Sequence, residues 1–274
     1  MALPAVGSAI SLSQIQTEYG GSNPISLSEY YDKGNAPGSG AIDMSADFGG
    51  TSNAPPDPQT FSGAGTSTLT IADNVLAIGV QVVGAGGGGA GAGGMFNFNG
   101  GGAGAGGNVI AYFNVSGGQT VTAIRGSGGA GVGMFTGGPN VGKPGNAGQA
   151  SSAKVGSTTI ATGNGGSGGT APTTGGPGGA TSVNGSTYSV NRNTGNSGGN
   201  GMGSGSLSGG AGGASPVGSG GANPNNGPGG AGGIGAGGGG AGSNMGIRSG
   251  GNGGAGYVKV TFYTSSNPPA DISF

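Results

Sequence analysis

The chain has 274 residues, of which 78 are glycine, while only 5% are charged and 5% are aromatic. Glycine is therefore about four times as frequent as its usual share of roughly 7%. Because glycine has no side chain to bury and loses the most backbone entropy on ordering, a conventional apolar core cannot extend through glycine-rich segments. A formal net charge of −1 and several β-branched segments nevertheless argue against general disorder.

Cysteine and histidine are both absent, so the sequence offers no thiolate or imidazole ligand and no imidazole base. A glycosidase needs two carboxylates beside the scissile bond, yet Asp73 is the single acid between residues 59 and 264. We therefore expect a protein that is not an enzyme and that binds no metal and no cofactor. We also expect neither a signal peptide nor a membrane anchor, since no basic segment precedes an apolar run and no run approaches ~20 apolar residues.

Residues 1–58 form an acidic module that holds six of the eight acids and one base, Lys33. Three near-repeats follow one another in it: AISLSQIQTEYGG from Ala9, PISLSEYYDKGN from Pro24 and AIDMSADFGG from Ala41. The module ends in the segment NAPPDP (53–58), whose prolines favour a stiff, extended linker.

The first two repeats carry capping-box spacing, Ser13 with Gln16 and Ser26 with Glu29. This predicts two short helical turns that start near Gln14 and Leu27 and end at Gly20 and Gly34. Helices this short are not stable alone in water. The module therefore either packs on its own chain as a small helical subdomain or orders on a partner protein. In the second interpretation, which we favour, the docking residues are its apolar and aromatic positions: Ile10, Leu12, Ile15, Tyr19, Ile25, Leu27, Tyr30, Tyr31, Ile42, Met44 and Phe48.

Residues 59–264 form the main domain, and residues 265–274 form a C-terminal tail. Alternating and β-branched runs predict strands at 66–71, 75–83, 108–115, 119–125, 153–162, 187–190 and 257–263. The alternation in 257–263 indicates one buried and one wetter face, as in an antiparallel sheet. We expect the first and last strands of the domain to pair and close it.

Glycine tracts separate the strands, at about 84–107, 126–148, 163–180, 195–221, 227–242 and 249–256. A Gly-X-Y register lasts for at most four triplets, from Gly229 to Gly238, before Ala241 breaks it, which excludes collagen. Polyproline-II-like helices have three residues per turn and no internal hydrogen bonds, so buried tracts must bond to one another. The expected fold is all-β with polyglycine-II helices: a glycine-rich sandwich framed by antiparallel strands, preceded by a small module with short helical turns.

Two sets of motifs carry a resemblance to bacteriophage proteins. The segments QVVGAGGGGAGAGG, NVSGGQTVTAIRGSGGAG and GGNGGAGYVKVTF resemble the glycine-rich domains of phage tail proteins and the polyglycine-sandwich adhesins of tail-fibre tips, over about residues 60–263. SAISLSQIQTEYGGSNPISLSEYY with GAIDMSADFGG resembles a short module at the start of many phage structural and tail proteins. The third repeat departs from the first two by Asp43 and an inserted Ala46.

The resemblance implies a phage tail-fibre or tail-tip protein, made in the host cytoplasm and assembled into the virion. Its expected partners are other tail or fibre proteins, through residues 1–58, and a host cell-surface glycan or outer-membrane receptor. Nucleic acid is not expected as a partner, and homo-oligomerisation is left open. The alternatives are a purely structural decoration of the tail or neck and, more remotely, an ice-binding polyglycine protein.

In the resembling adhesins, loops between the glycine helices carry the receptor contacts. Apolar and basic residues interrupt the tracts here, and residues 59–264 hold six bases against one acid, which favours an anionic host surface as the target. The alternative is that the apolar residues fill gaps against the sheet and that the scattered charges serve solubility. The expected receptor-binding residues are Met95, Phe96, Phe98, Met134, Phe135, Arg192 and Arg248.

Overall fold

The computed structural model describes residues 2–22, 26–48, 54–93, 99–133, 143–170, 172–185, 188–202, 207–243 and 246–266, with the backbone alone at 188–190. The helices in these ranges are α1 (Leu12–Tyr19), a 3-10 helix (Leu27–Tyr30) and α2 (Met44–Phe48). The strands are β1 (Gln59–Ser62), β2 (Gly65–Thr70), β3 (Ala77–Val83), β4 (Asn108–Asn114), β5 (Thr120–Arg125), β6 (Ser151–Val155), β7 (Thr158–Gly163), β8 (Thr181–Val183), β9 (Tyr188–Asn193) and β10 (Tyr257–Tyr263).

Helix α1 has its capping box two residues earlier than predicted, at Ser11 and Gln14 rather than at Ser13 and Gln16. The Gln14 N–H donates to Ser11 Oγ at 3.2 Å, and the Ser11 N–H donates to Gln14 Oε1 at 2.8 Å. The spacing Ser-x-x-Gln occurs twice in this repeat, so the sequence alone favoured the wrong copy. The helix ends at Gly20 as predicted, where a φ of 78° favours glycine.

The other two repeats also differ from the prediction. Ser26 caps the 3-10 helix, but its side chain accepts from the Ser28 N–H, and the helix ends at Tyr30 instead of Gly34. The third repeat forms α2, which was not predicted. Asp43 Oδ1 accepts hydrogen bonds from the N–H groups of Ser45 and Ala46 at 2.9 Å each, so the residue that departs from the repeat is the one that caps this helix.

The strands form two five-stranded antiparallel sheets, which confirms an all-β main domain. Sheet A has the order β1-β10-β3-β4-β9, and sheet B has the order β2-β5-β6-β7-β8. The first and last strands of the domain, β1 and β10, pair as predicted, although β1 itself was not predicted; the strand predicted at 66–71 is β2, which pairs with β5. The predicted strand 153–162 is a hairpin of β6 and β7, which turns at Gly156 with a φ of 56°.

The apolar core lies between the two sheets. Strand β10 alternates as predicted, with Val258, Val260 and Phe262 buried and the intervening residues partly exposed. These side chains share one cluster with β3 residues such as Val80 and with Val121 of sheet B. This cluster consists of strand residues and of Ile71, Val75 and Val115 beside the strands, so the glycine-rich segments must be held by another interaction.

The glycine-rich segments run out from the ends of the strands and bond to one another through the backbone. Three of them, 84–93, 99–107 and 235–243, are buried along their whole described length and are called the inner tracts. The other described segments surround them and are called the outer tracts: 126–133, 143–150, 163–170, 174–180, 194–201, 207–214, 218–224, 227–234 and 248–256.

The hydrogen bonds of inner tract 84–93 repeat every third residue. The N–H groups of residues 84, 87 and 90 donate to tract 99–107, those of 85, 88 and 91 to tract 143–150, and those of 86, 89 and 92 to tract 248–256. Its carbonyl groups accept from tracts 126–133, 163–170 and 235–243. This tract therefore bonds to six neighbours, and its backbone groups are paired without any regular sheet or α-helix.

The inner tracts also bond to each other, and the outer tracts form a closed ring around them. Tract 235–243 donates to 84–93 from Gly238 and Ala241 and accepts from 99–107 at the same two residues. In the outer tracts, every third residue faces inward: in 163–170, for example, Gly163, Gly166 and Gly169 are buried. The described tracts thus form one hydrogen-bonded array, three tracts inside nine.

The array depends on glycine at particular positions, where neighbouring tracts approach too closely for a side chain; alanine fits at others, such as Ala90. An added Cβ at Gly88, Gly102 or Gly240 would come within 3.0 Å of a carbonyl oxygen of a neighbouring tract. Such a contact requires the backbone to move, and the hydrogen bonds of several tracts would move with it. Gly133, at the end of an outer tract, has no atom of the described residues within 4 Å of its added Cβ.

We predict that Gly102→Ala destabilises the protein by about 1–3 kcal/mol, the usual effect of overpacking. The added methyl group would displace the carbonyl of Ala211 in the adjacent tract. Gly133→Ala adds the same methyl group at an open position and is the matched control. Thermal unfolding followed by circular dichroism measures both; equal melting temperatures for the two variants would contradict close contact between the tracts.

Candidate binding surface at the distal end of the glycine tracts

The tracts have two different ends. All ten strands described above meet the tracts at one end, called the proximal end, and the tracts turn back at the other, called the distal end. Tract 84–93 leaves β3 and tract 99–107 returns to β4, with the Ala90 N–H bonded to Gly101 near the turn. The bond between the Thr170 N–H and the Thr174 carbonyl marks a further distal turn, and the bond between the Gly242 N–H and the Gly227 carbonyl joins the distal ends of two tracts. The described residues of the distal end thus come from separate parts of the sequence.

A buried side-chain network holds the distal turns together. Asn99 is fully buried; its Nδ2 donates to the Met202 carbonyl at 2.7 Å, and its Oδ1 accepts from the Ser243 N–H at 3.0 Å. Ser243 Oγ in turn accepts from the Gly246 N–H at 3.1 Å. Two amide contacts from one asparagine therefore fix segments that are more than 100 residues apart in sequence.

Apolar side chains are exposed on this support. Met202 is 58% exposed, Leu207 38% and Ile247 50%. The backbones of Met202 and Leu207 are held by hydrogen bonds: the Met202 N–H donates to the Ser208 carbonyl at 3.0 Å, and the Leu207 carbonyl accepts from the Asn226 N–H at 2.9 Å. Exposed apolar side chains on a rigid base are typical of binding sites, because ordering them costs little entropy.

Two basic residues lie at the same end. The backbone of Arg248 exchanges two hydrogen bonds with Ala92 at 3.0 Å each, and the Lys143 carbonyl accepts from the Gly91 N–H at 3.2 Å. The Lys143 side chain is exposed and that of Arg248 is partly exposed. We define the distal surface as Lys143, Met202, Leu207, Ile247 and Arg248.

The structure separates the two arginines that were predicted to act together. Arg248 lies at the distal end, but Arg192 lies in edge strand β9, opposite Val109 at the start of β4, and therefore at the proximal end. The prediction that both arginines contact one receptor site is thus wrong, because the two residues lie at opposite ends of the tracts. The sequence showed Arg192 beside glycine tracts but not that its own segment is a strand.

The remaining predicted receptor-binding residues, Met95, Phe96, Phe98, Met134 and Phe135, lie outside the described residues. Two residues of the distal surface, Met202 and Leu207, were missed. They stand singly in a glycine and serine segment, whereas the prediction singled out paired apolar or basic interruptions. A single large apolar residue within a glycine tract was the available signal.

The predicted docking residues of the N-terminal module lie mostly in the module's own core. Ile15, Tyr30 and Phe48 are buried there, and the Tyr30 and Phe48 rings meet edge to face at 6.2 Å. These three residues cannot contact a partner in this conformation, which corrects their assignment as docking residues. Partly buried residues pack against the same cluster: Ile10, Leu12, Tyr19, Ile42 and Met44.

Two predicted docking residues remain at the surface. Leu27 is 38% exposed, and Tyr31 is partly exposed and donates its hydroxyl to the Gly40 carbonyl at 2.7 Å. Ile25 lies outside the described residues. The interpretation in which the module packs on its own chain therefore accounts for most of its apolar residues.

The distal surface combines exposed apolar side chains with two positively charged side chains.

Among the described residues, no group of three or more Asp, Glu, His or Cys side chains is arranged to hold a metal ion. No helix within the described ranges is long and apolar enough to cross a membrane.

Comparison with models of known protein families and with curated proteins gives no match to this chain.

Proposed function

We propose that this chain is a tail-fibre or tail-tip protein of a bacteriophage that joins the virion through residues 1–58 and presents the distal surface to a host receptor. The observation that carries the proposal is the gathering of exposed apolar and basic side chains on one end of the hydrogen-bonded array. The resemblance of the glycine tracts and of the N-terminal repeats to phage tail proteins supports the same function.

In this proposal the tracts are polyglycine-II helices that form a glycine-rich sandwich. A period of three residues in the hydrogen bonds and in the burial of the outer tracts supports this assignment. Such a body is stiff, because each inner tract is bonded on all sides. Stiffness suits an adhesin, since the contact residues are held in place before the receptor arrives.

The receptor that fits the distal surface is an anionic cell-surface glycan or an outer-membrane protein with an acidic patch. Met202, Leu207 and Ile247 provide apolar anchors. Arg248 and Lys143 provide the charge, and the planar guanidinium of arginine suits phosphate or carboxylate groups. Arg192 is not part of this site, because it lies at the opposite end of the tracts.

We predict that the double variant Met202→Ser with Ile247→Ser binds host cells at least about tenfold more weakly than the wild type, since each side chain is an exposed anchor. Leu76→Ser is the matched control, because Leu76 is 45% exposed at the end of sheet A away from the tracts. Adsorption of the labelled full chain to a panel of bacterial strains is the measurement. Adsorption unchanged by the double variant would remove the distal surface from the site, and no adsorption to any strain would favour a structural tail component.

If the N-terminal module docks on a virion protein, a substitution on its exposed surface should reduce incorporation of the chain into particles. Leu27→Asp should reduce incorporation of the chain into phage particles, because it places a charge on the apolar residue that remains available for contact. Val6→Asp, at a residue 67% exposed and outside the predicted docking set, should incorporate normally. Immunoblots of purified particles measure this, and equal incorporation of the two variants would contradict docking through Leu27.

A further inference from the structure

A polar cleft lies at the proximal end of the array, away from the distal surface. It has a volume of about 320 Å³, at the lower end of the roughly 300–1,000 Å³ usual for small-molecule sites. Three parts of the chain meet there: the start of β4, the end of β9 with tract 194–201, and the turn that follows tract 207–214. The lining residues are Gly106, Asn108, Asn193, Thr194, Gly195, Asn196, Ala214, Ser215 and Pro216.

Asn108 is the residue that marks this cleft as a site. Its side chain is only 3% exposed, and its Oδ1 accepts from Gln81 Nε2 at 3.0 Å, which fixes the orientation of the amide. No partner of Asn108 Nδ2 occurs among the described residues, although the residue lines the cleft. The Nδ2 atom is therefore open to the cleft, where a ligand that accepts its hydrogen bond would take the place of water.

The other lining groups define the chemistry of that ligand. Asn196 also lines the cleft; its Nδ2 donates to the Ala214 carbonyl at 2.9 Å, and its Oδ1 is an acceptor. Thr194 and Asn193 are exposed and add a hydroxyl and an amide. None of the described residues that line the cleft is charged, and Ala214 and Pro216 provide an apolar patch. Amides and hydroxyls that both donate and accept match a ligand whose own groups do both.

We propose that this cleft binds a neutral sugar unit, with Asn108 Nδ2 and Asn196 Oδ1 contacting its hydroxyl groups and Pro216 contacting its C–H face. A sugar alternates donor-acceptor hydroxyls with apolar C–H edges, and the lining supplies both kinds of partner. Neither a phosphate nor a carboxylate is favoured, because the lining residues that the structure describes include no lysine or arginine. The site is separate from the distal surface, since the two lie at opposite ends of the tracts.

Binding is tested on the full chain by two-dimensional NMR titration with glucose, galactose, mannose, rhamnose and N-acetylglucosamine, each added alone. At about 10 mM sugar, a site with a Kd of ~1 mM is about 90% filled. We expect at least one sugar to shift the amide signals of residues 193–196 and 214–217 while those of the distal surface stay in place. No shift at these residues with any of the five sugars would overturn the proposal.

The variants separate a specific site from a change in folding. Asn108→Leu removes the amide donor and should weaken binding at least about tenfold, but it also breaks the contact with Gln81. Ala214→Phe changes an exposed residue, leaves that contact intact and should block the cleft by its size. Asn223→Ala, an exposed asparagine of another outer tract, is the control.

Unchanged sugar binding by Ala214→Phe would contradict the assignment of the cleft. The Met202→Ser, Ile247→Ser variant should bind the sugar like the wild type, so loss of cell adsorption at the distal surface and loss of sugar binding at the cleft are distinguishable results.

Discussion

Pairing of backbone N–H and C=O groups in the absence of side chains is the constraint on which this structure depends. Buried peptide groups must be bonded, and a segment with few side chains has no apolar surface to offset an unpaired group. The inner tracts meet this constraint by bonding to neighbours on all sides, as in 84–93, where successive residues face different tracts. Glycine is required because an added Cβ at Gly102 would meet a carbonyl oxygen. The apolar core between the sheets holds the strands together, and the strands align the proximal ends of the tracts.

The sequence predicted most strands closely, because their β-branched alternation is local; β10 has the bounds that its pattern indicates. It failed where two local signals compete or where the signal lies elsewhere in the chain. Two Ser-x-x-Gln spacings in the first repeat left the cap ambiguous, and Asp43, read as a departure from the repeat, caps α2. The partners of each glycine tract could not be predicted, because Gly-Gly segments are nearly interchangeable in sequence. For the same reason the distance between Arg192 and Arg248 was not visible in their spacing.

The arrangement of the tracts relates the fold to the proposed function. At the distal end no further tract of the described residues packs against the turns, so apolar side chains such as Met202 are exposed there. Asn99 adds the side-chain bonds that the backbone array cannot supply at its end. The N-terminal module has a core of its own around Phe48. Contact with a partner would therefore involve the exposed residues of the module. The tracts thus provide the rigid support, and the distal turns provide the exposed side chains.

Amide hydrogen exchange resolved by residue tests the central claim most directly, because it reports whether the tract N–H groups are bonded in solution. The account predicts that the amides of Gly87 and Ala103, in the inner tracts, exchange as slowly as those of strand β3. The amide of Gly165, which has no partner among the described residues, should exchange much faster than Gly166 beside it. Rapid exchange along both inner tracts, with protection confined to the two sheets, would contradict an array held together by its backbone.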